Sequence, residues 1–187
     1  MLINYSLMEL QSLLKKRSCS IEEGLSIFDS LEPATVDFMK GQWKGYEIKT
    51  GHFMEGLLEP SGWYGKLFEN SENVHPLLIY TWNKKQVYPI NPKIIPLGMS
   101  FPKTKILRFL MIILKPILKT KRSKARMRMV NYRGKLTGTM VYDSKGILDH
   151  FTKIDSNTML GLMDMKGSKN PYFFILERDS KIQGILP

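Results

Sequence analysis

The sequence predicts a mainly β chain of α+β type. It should close into an antiparallel, lipocalin-like β-barrel with helices at its N-terminus. Three observations lead there. Short apolar or alternating runs recur from residue 41 onward, separated by glycine, asparagine and proline turn signals. Two glycine–tryptophan motifs, Gly41-Gln42-Trp43-Lys44-Gly45 and Gly62-Trp63-Tyr64-Gly65-Lys66, fall inside such runs. The first forty residues carry helical spacing instead. Glycine permits close backbone approach, and Trp is a large plate with one N–H donor. The motifs therefore suggest curved strands with rings packed against them.

The helical segment comes first. Leu7, Leu10, Leu13 and Leu14 fall on one helical face. Ser20-Ile21-Glu22-Glu23 has the form of a capping box, and Ile21, Leu25, Phe28 and Leu31 follow as an apolar stripe that Pro33 stops. From Gly41 the period changes. Trp43–Lys49 and Trp63–Phe68 read as strands, and Pro76–Trp82 with Gln86–Tyr88 reads as a hairpin around Asn83-Lys84-Lys85. Residues 89 to 105 are proline-rich and irregular. After them Met127, Met129 and Asn131 alternate against Arg126, Arg128 and Val130, and Tyr132–Lys135 makes a turn. Leu136–Tyr142, Met159–Met165 and Tyr172–Glu177 complete the strands. The expected organisation is one domain over 1–187. It comprises a helical segment 1–40, a first β half 41–100, a basic and apolar connector 101–125, and a C-terminal meander 126–187.

Composition narrows the function classes. The chain has 187 residues and 43% hydrophobic residues, enough for a core without metals or disulfides. A lone cysteine, Cys19, excludes an intramolecular disulfide and fits a reducing compartment. The opening Met1–Tyr5 lacks the features of a secretory signal, so the expected location is cytoplasmic or peripheral to a membrane. No run reaches the roughly 18 apolar residues of a spanning helix. Phosphate-binding glycine loops, a G-x-S-x-G elbow and an H-E-x-x-H zinc motif are all missing. No cofactor and no metal are expected.

The net charge of +11 is unevenly spread. Between Lys103 and Lys135 lie twelve Lys or Arg and no Asp or Glu. The most apolar stretch, Ile106–Leu118, sits directly before the densest part, Lys119–Arg128. A helix that Pro116 ends, followed by basic residues, suits an anionic membrane surface, so Ile106 to Arg128 is the expected contact. The competing reading makes Ile106, Phe109, Leu110, Ile113 and Leu114 a cap over the barrel mouth. Nucleic acid is disfavoured because aromatics do not interleave with the charge.

The chain resembles the GXWXG protein family, named for the motif seen here as Gly41–Gly45. The resemblance continues through Thr50-Gly51-His52, Glu55–Glu59 and Ser61–Lys66. The second half is similar to the domain of unknown function that usually follows. There the matching residues are Tyr132-Arg133-Gly134, Met140–Asp143, Asp149-His150-Phe151, Leu160–Asp164 and Pro171–Phe174. The resemblance covers roughly Pro33 to Asp179 and implies a fold group without an established activity.

Aromatic and methionine residues concentrate in the strands, and a barrel lined with them can hold one apolar ligand. The function expected is non-enzymatic binding of a small hydrophobic or lipid-like molecule. The expected pocket residues are Trp43, Trp63, Tyr64, Met140, Tyr142 and Tyr172, with His52, Glu55, Asp149 and His150 as polar anchors. The alternative is a small hydrolase or isomerase using His52 or His150 with a neighbouring carboxylate, Glu55 or Asp149. For each histidine the plainer role is a hydrogen bond to a backbone carbonyl or a nearby acid.

Overall fold

Helix α1 (Leu2–Lys16) and helix α2 (Ile21–Ser30) open the chain. The structure is a computed structural model that describes residues 2–96 and 103–179. The expected role of Leu7, and residues 97–102 of the proline-rich stretch, lie outside that description. The capping box forms: the Glu23 N–H donates to Ser20 Oγ at 3.1 Å and the Ser20 N–H to Glu23 Oε2 at 2.7 Å. The buried face of α2 is Gly24, Ile27 and Phe28, rotated from the expected stripe, so Ile21, Leu25 and Leu31 are only half-buried. Gly24 sets that rotation, because it lets the Phe173 ring lie directly against the helix backbone. Two short elements follow, β1 (Glu32–Pro33) and α3 (Val36–Met39).

The strands are β2 (Gly41–Ile48), β3 (Trp63–Phe68), β4 (Val74–Tyr80), β5 (Val87–Pro89), β6 (Ala125–Tyr132), β7 (Lys135–Tyr142), β8 (Ile147–Lys153), β9 (Thr158–Met165) and β10 (Tyr172–Arg178). Among the described residues eight of them close an antiparallel barrel in the order β2–β3–β4–β6–β7–β8–β9–β10, with β10 returning to pair β2. Strand β5 is a spur on β4, and β1 pairs the end of β8. Strand β8 has no clear sequence signature. Its interior-facing Asp149 breaks the apolar alternation that marks a strand. The hairpin β6–β7 turns at Arg133 (φ +51°) and Gly134 (φ +79°), the left-handed pair that suits a two-residue connection.

Side chains alternate across the barrel wall. Trp43, Met127, Met140, Phe151, Met159, Tyr172, Phe174 and Leu176 belong to the interior core. Ile48, Leu160, Leu162, Phe173 and Ile175 point outward and pack with Leu10, Leu13, Ile27 and Phe28 of α1 and α2. Met129 departs from the expected pattern and is exposed, because β6 has no neighbouring strand on its β4 side at that level. The two glycine–tryptophan motifs meet on β2 and β3. A Cβ on Gly45 would fall 2.2 Å from the Trp63 ring, and one on Gly65 would fall 2.0 Å from the Trp43 carbonyl oxygen. Both glycines are therefore spacers that let these strands and rings approach.

The connector is built into the barrel. Strands β4 and β6 pair only at Val74 and Ala125, leaving a gap in the wall. Helices α4 (Leu58–Ser61), α5 (Lys105–Ile113) and α6 (Lys115–Leu118) lie at that end of the molecule. The Asn91 N–H donates to the Leu118 carbonyl and the Thr120 N–H to the Pro89 carbonyl, which sew the connector to β5. The expected single helix ended by Pro116 is instead two. The break comes at Leu114, and Pro116 sits in the first turn of α6, where its missing N–H leaves no bond unmade. The basic run is not a loose tail, since Ala125 onward is β6 and Arg128 pairs with Glu72 at 2.8 Å.

Candidate functional site

The interior is filled at one end and hollow at the other. At the filled end α3 brings Met39 beneath Trp43, whose Nε1 donates to the Met39 carbonyl at 2.7 Å. Phe68, Met127, Met140 and Phe151 complete the packing there. At the other end is a cavity of about 840 Å³. Its walls come from β3, β4, β7, β8, β9 and β10, and Leu107 and Met111 of α5 face it from above. Most of the lining is apolar, with Ile79, Ile90, Met163 and Phe174 among it.

One charged pair stands in that wall. Lys66 Nζ lies 2.8 Å from Asp149 Oδ2, with the two side chains 3% and 1% exposed. The ammonium also donates to the Pro76 carbonyl at 3.2 Å and lies 4.9 Å from the centre of the Phe174 ring. Burial pushes the Asp149 carboxyl above its ordinary pKa, and Lys66 pulls it back. Asp149 Oδ1 and Trp63 Nε1 are buried and make no hydrogen bond among the described residues. Two residues of the cavity wall thus keep an open acceptor and an open donor. Lys66 is a cavity residue that strand alternation from Trp63 does not predict. Trp63 and Lys66 both face inward because the register of β3 shifts on either side of Gly65. The bulge resets the alternation that would otherwise place them on opposite faces.

The expected pocket residues divide. Trp63, Tyr142, Asp149 and Tyr172 line the cavity. Trp43 and Met140 face inward but belong to the filled end. Tyr64 is the strand neighbour of Trp63, faces outward with Leu78 and Val87, and accepts from Gln42 Nε2 at 2.8 Å. Asp149 and His150 were expected to act together, yet adjacent residues on a strand point to opposite faces. His150 is 0% exposed on the outer side, stacked on the Tyr132 ring at 3.7 Å. Its Nδ1 and Thr139 Oγ1 are 2.8 Å apart, and burial pulls its pKa down to about 4.

His52 and Glu55 shape the loop after β2. Glu55 Oε1 accepts from the backbone N–H groups of Thr50 and His52. His52 Nδ1 accepts from the Met54 N–H at 3.2 Å, and its Nε2 faces Ser168 Oγ at 3.3 Å. Burial lowers the His52 pKa, with Glu55 opposing. The ring borders a small adjoining crevice that shares Phe53, Gly167 and Ser168 with the large cavity; it packs behind Tyr172 and is not itself among the residues lining that cavity. His52 and His150 therefore do not converge. Glu47, unremarked in the sequence, accepts from the Tyr172 hydroxyl at 2.7 Å and from the Gly56 N–H at 2.9 Å, which fixes the cavity rim to β10. His75, on β4, lies 3.6 Å from Glu69. Among the described residues no group of three His, Cys, Asp or Glu side chains could hold a metal.

Residues 26–84 match the GXWXG protein family, and residues 123–178 match a domain of unknown function, DUF4334. No curated protein matches the chain. The fold is similar to the crystal structure of a protein from Thermomonospora curvata, 27% identical, with a TM-score of 0.69 over 93% of this chain and 98% of that one. The two matches fall in the expected order on the two sides of one closed barrel, a GXWXG segment followed by a DUF4334 segment, which is the family pairing the sequence resemblance implies.

Proposed function

We propose that this protein binds one small, hydrophobic, uncharged molecule in the hollow end of the barrel and does not transform it. The observation that carries the reading is an apolar cavity of about 840 Å³ whose buried charges, Lys66 and Asp149, already neutralise each other. Cavities of roughly 300–1,000 Å³ suit one ligand of drug or lipid-fragment size. A charged ligand head beside that pair would add a third buried charge, which is costly. The other lysines of the lining, Lys103, Lys145 and Lys166, are half-buried or exposed. A hydroxyl can both donate and accept. Asp149 Oδ1 and Trp63 Nε1 are unpaired but covered by packing, so a hydroxyl would answer them better than a carboxylate does only where a small side-chain shift uncovers them. The catalytic alternative loses its support, because neither the His52 nor the His150 ring faces the cavity.

The test is a matched ligand series. Titrating the protein with a medium-chain primary alcohol, and with the carboxylate and amine of equal chain length, should give saturable one-to-one binding. The alcohol should bind at least tenfold tighter than either ion. The double variant Lys66→Met, Asp149→Leu should stay folded, because both charges leave together, and should lose the alcohol's advantage. Absence of saturable binding by the whole series, with native mass spectrometry showing only bare protein, refutes the reading.

A further inference from the structure

We propose that the cavity end of the barrel docks on an anionic lipid bilayer through the outer face of α5 and α6, so that the cavity opens onto the membrane surface. The exchange of ligand that follows rests on the binding reading above; the docking does not.

Helix α5 is apolar on two sides. Its inner side puts Leu107 and Met111 into the cavity wall. Its outer side carries Ile106, Phe109 and Ile113, which are 60%, 57% and 56% exposed, and α6 continues the face with Ile117 at 64%. A helix apolar all round belongs in an apolar environment, and here half of that environment is absent among the described residues. Isolated exposed apolar residues are ordinary, but a contiguous set is a contact surface. The set also extends onto neighbouring segments. Phe53 and Trp82 are exposed, and the cap holds both by their carbonyls: Lys103 Nζ donates to the Phe53 oxygen at 3.1 Å and Arg108 Nη2 to the Trp82 oxygen at 3.4 Å. Phe53 and Lys103 also line the cavity, so this surface reaches its edge.

Charge selects the occupant. From Asn73 to Tyr142 the sequence holds fifteen Lys or Arg and no Asp or Glu. Lys103, Lys105, Lys121 and Arg122 are exposed near the apolar face or just beyond α6. A cation-rich rim around an apolar face fits an anionic bilayer, with apolar side chains at the acyl boundary and ammonium groups at the headgroups. The acids nearest it are Glu59 of α4, which faces Arg17, and Glu55, which is held by backbone N–H groups. No described helix is long and apolar enough to cross a membrane, and nine residues reach only roughly 14 Å, so α5 would lie in the interface. The contact is narrower than Ile106 to Arg128. Arg126 and Arg128 belong to β6, and Arg128 is taken up by Glu72.

Co-sedimentation with phosphatidylcholine vesicles, with and without phosphatidylglycerol, tests the docking. Binding should require phosphatidylglycerol and weaken with added salt. The double variant Phe109→Glu, Ile113→Glu changes only exposed positions. It should lower vesicle affinity at least tenfold with an unchanged melting temperature. Lys105→Glu with Lys121→Glu should remove the preference for anionic vesicles. In the exchange arm, protein loaded with a fluorescent fatty alcohol should release it at a rate that rises with vesicle concentration. Failure to load the probe would count against the binding reading, while the vesicle arm still decides the docking. Three results overturn the proposal: no binding to anionic vesicles at low salt, wild-type binding by the Phe109, Ile113 variant, or a wild-type dimer that this variant dissolves, which would make the face an interface between two copies.

Discussion

The two ends of the barrel are made from the same strands, yet one is solid and the other hollow. At the solid end α3 inserts Met39, and Trp43, Phe68, Met140 and Phe151 fill the remaining space. At the hollow end a helix also closes the barrel, but α5 spans the mouth without filling it. The polar contents differ as well. Trp43 Nε1 is satisfied at the solid end, whereas Trp63 Nε1 and Asp149 Oδ1 are left open in residues of the hollow wall. A core evolved only for stability fills space and pairs polar atoms. That contrast within one barrel is what the binding proposal rests on.

The joint between the ends gives the largest expected effect. Gly45→Ala would drive a methyl group into the Trp63 ring and the Leu176 side chain. It should cost about 3 kcal/mol or more, read by urea denaturation. Adding Trp63→Leu should recover part of that loss, because the crowding ring is gone; additive losses would show that the close approach is not the cause. Next come the ends themselves. Met140→Ala at the solid end should cost about 2–4 kcal/mol and leave affinity for the alcohol probe unchanged. Met163→Ala in the cavity wall should cost less than half as much and alter affinity. Equal stability losses in the two variants would break the contrast.

The smallest effect is a pH dependence on the outer wall. The pKa of His150 is depressed in the fold, to about 4 against an ordinary 6.5, so the unfolded chain binds the proton more readily. Stability from this residue is complete above pH 6.5 and is lost as pH falls from there toward 4. Between pH 7 and 5 the loss should be on the order of 1–2 kcal/mol, and His150→Phe, which can keep a stack on Tyr132, should flatten it. Burial lowers His52 and His75 in the same direction, while the raised Asp149 opposes them, so the difference between the two proteins is the informative measurement. Alcohol affinity should not follow the His150 titration, because that ring lies outside the cavity.

Much of the barrel was legible in the sequence. The Ser20 capping box, the Tyr132–Lys135 turn and the runs of β2, β3, β7, β9 and β10 stood out because local chemistry decides them. The site was legible by halves. Trp63, Tyr142, Asp149 and Tyr172 reach the cavity, but their neighbours Tyr64 and His150 were chosen with them, although strand alternation sends one of each pair outward. Lys66 was hidden by the bulge at Gly65, which no residue pattern announces with certainty of phase. Strand β8 was hidden by Asp149, since a carboxylate inside a barrel reads as a loop until its ammonium partner, 83 positions earlier in the chain, is brought beside it. Partners separated that far are set by closure of the barrel and not by local propensity.

The uneven seams of the wall bear on how such a protein can be inherited and divided. The matched segments 26–84 and 123–178 meet along a continuous ladder from Phe173–Ile48 to Arg178–Trp43 on one side. On the other side strand pairing is limited to Val74–Ala125, with the Met127 N–H on the Ser71 carbonyl and Arg128 on Glu72 beside it, and the intervening chain supplies the missing mortar. Neither segment can roll up by itself, so a gene that lost one would encode a sheet with two raw edges. The long ladder is a hinge and the single pair a latch. A break in the backbone between them would leave two fragments that still share an extensive, register-specific edge, which makes the connector the natural place to split this barrel into complementing halves.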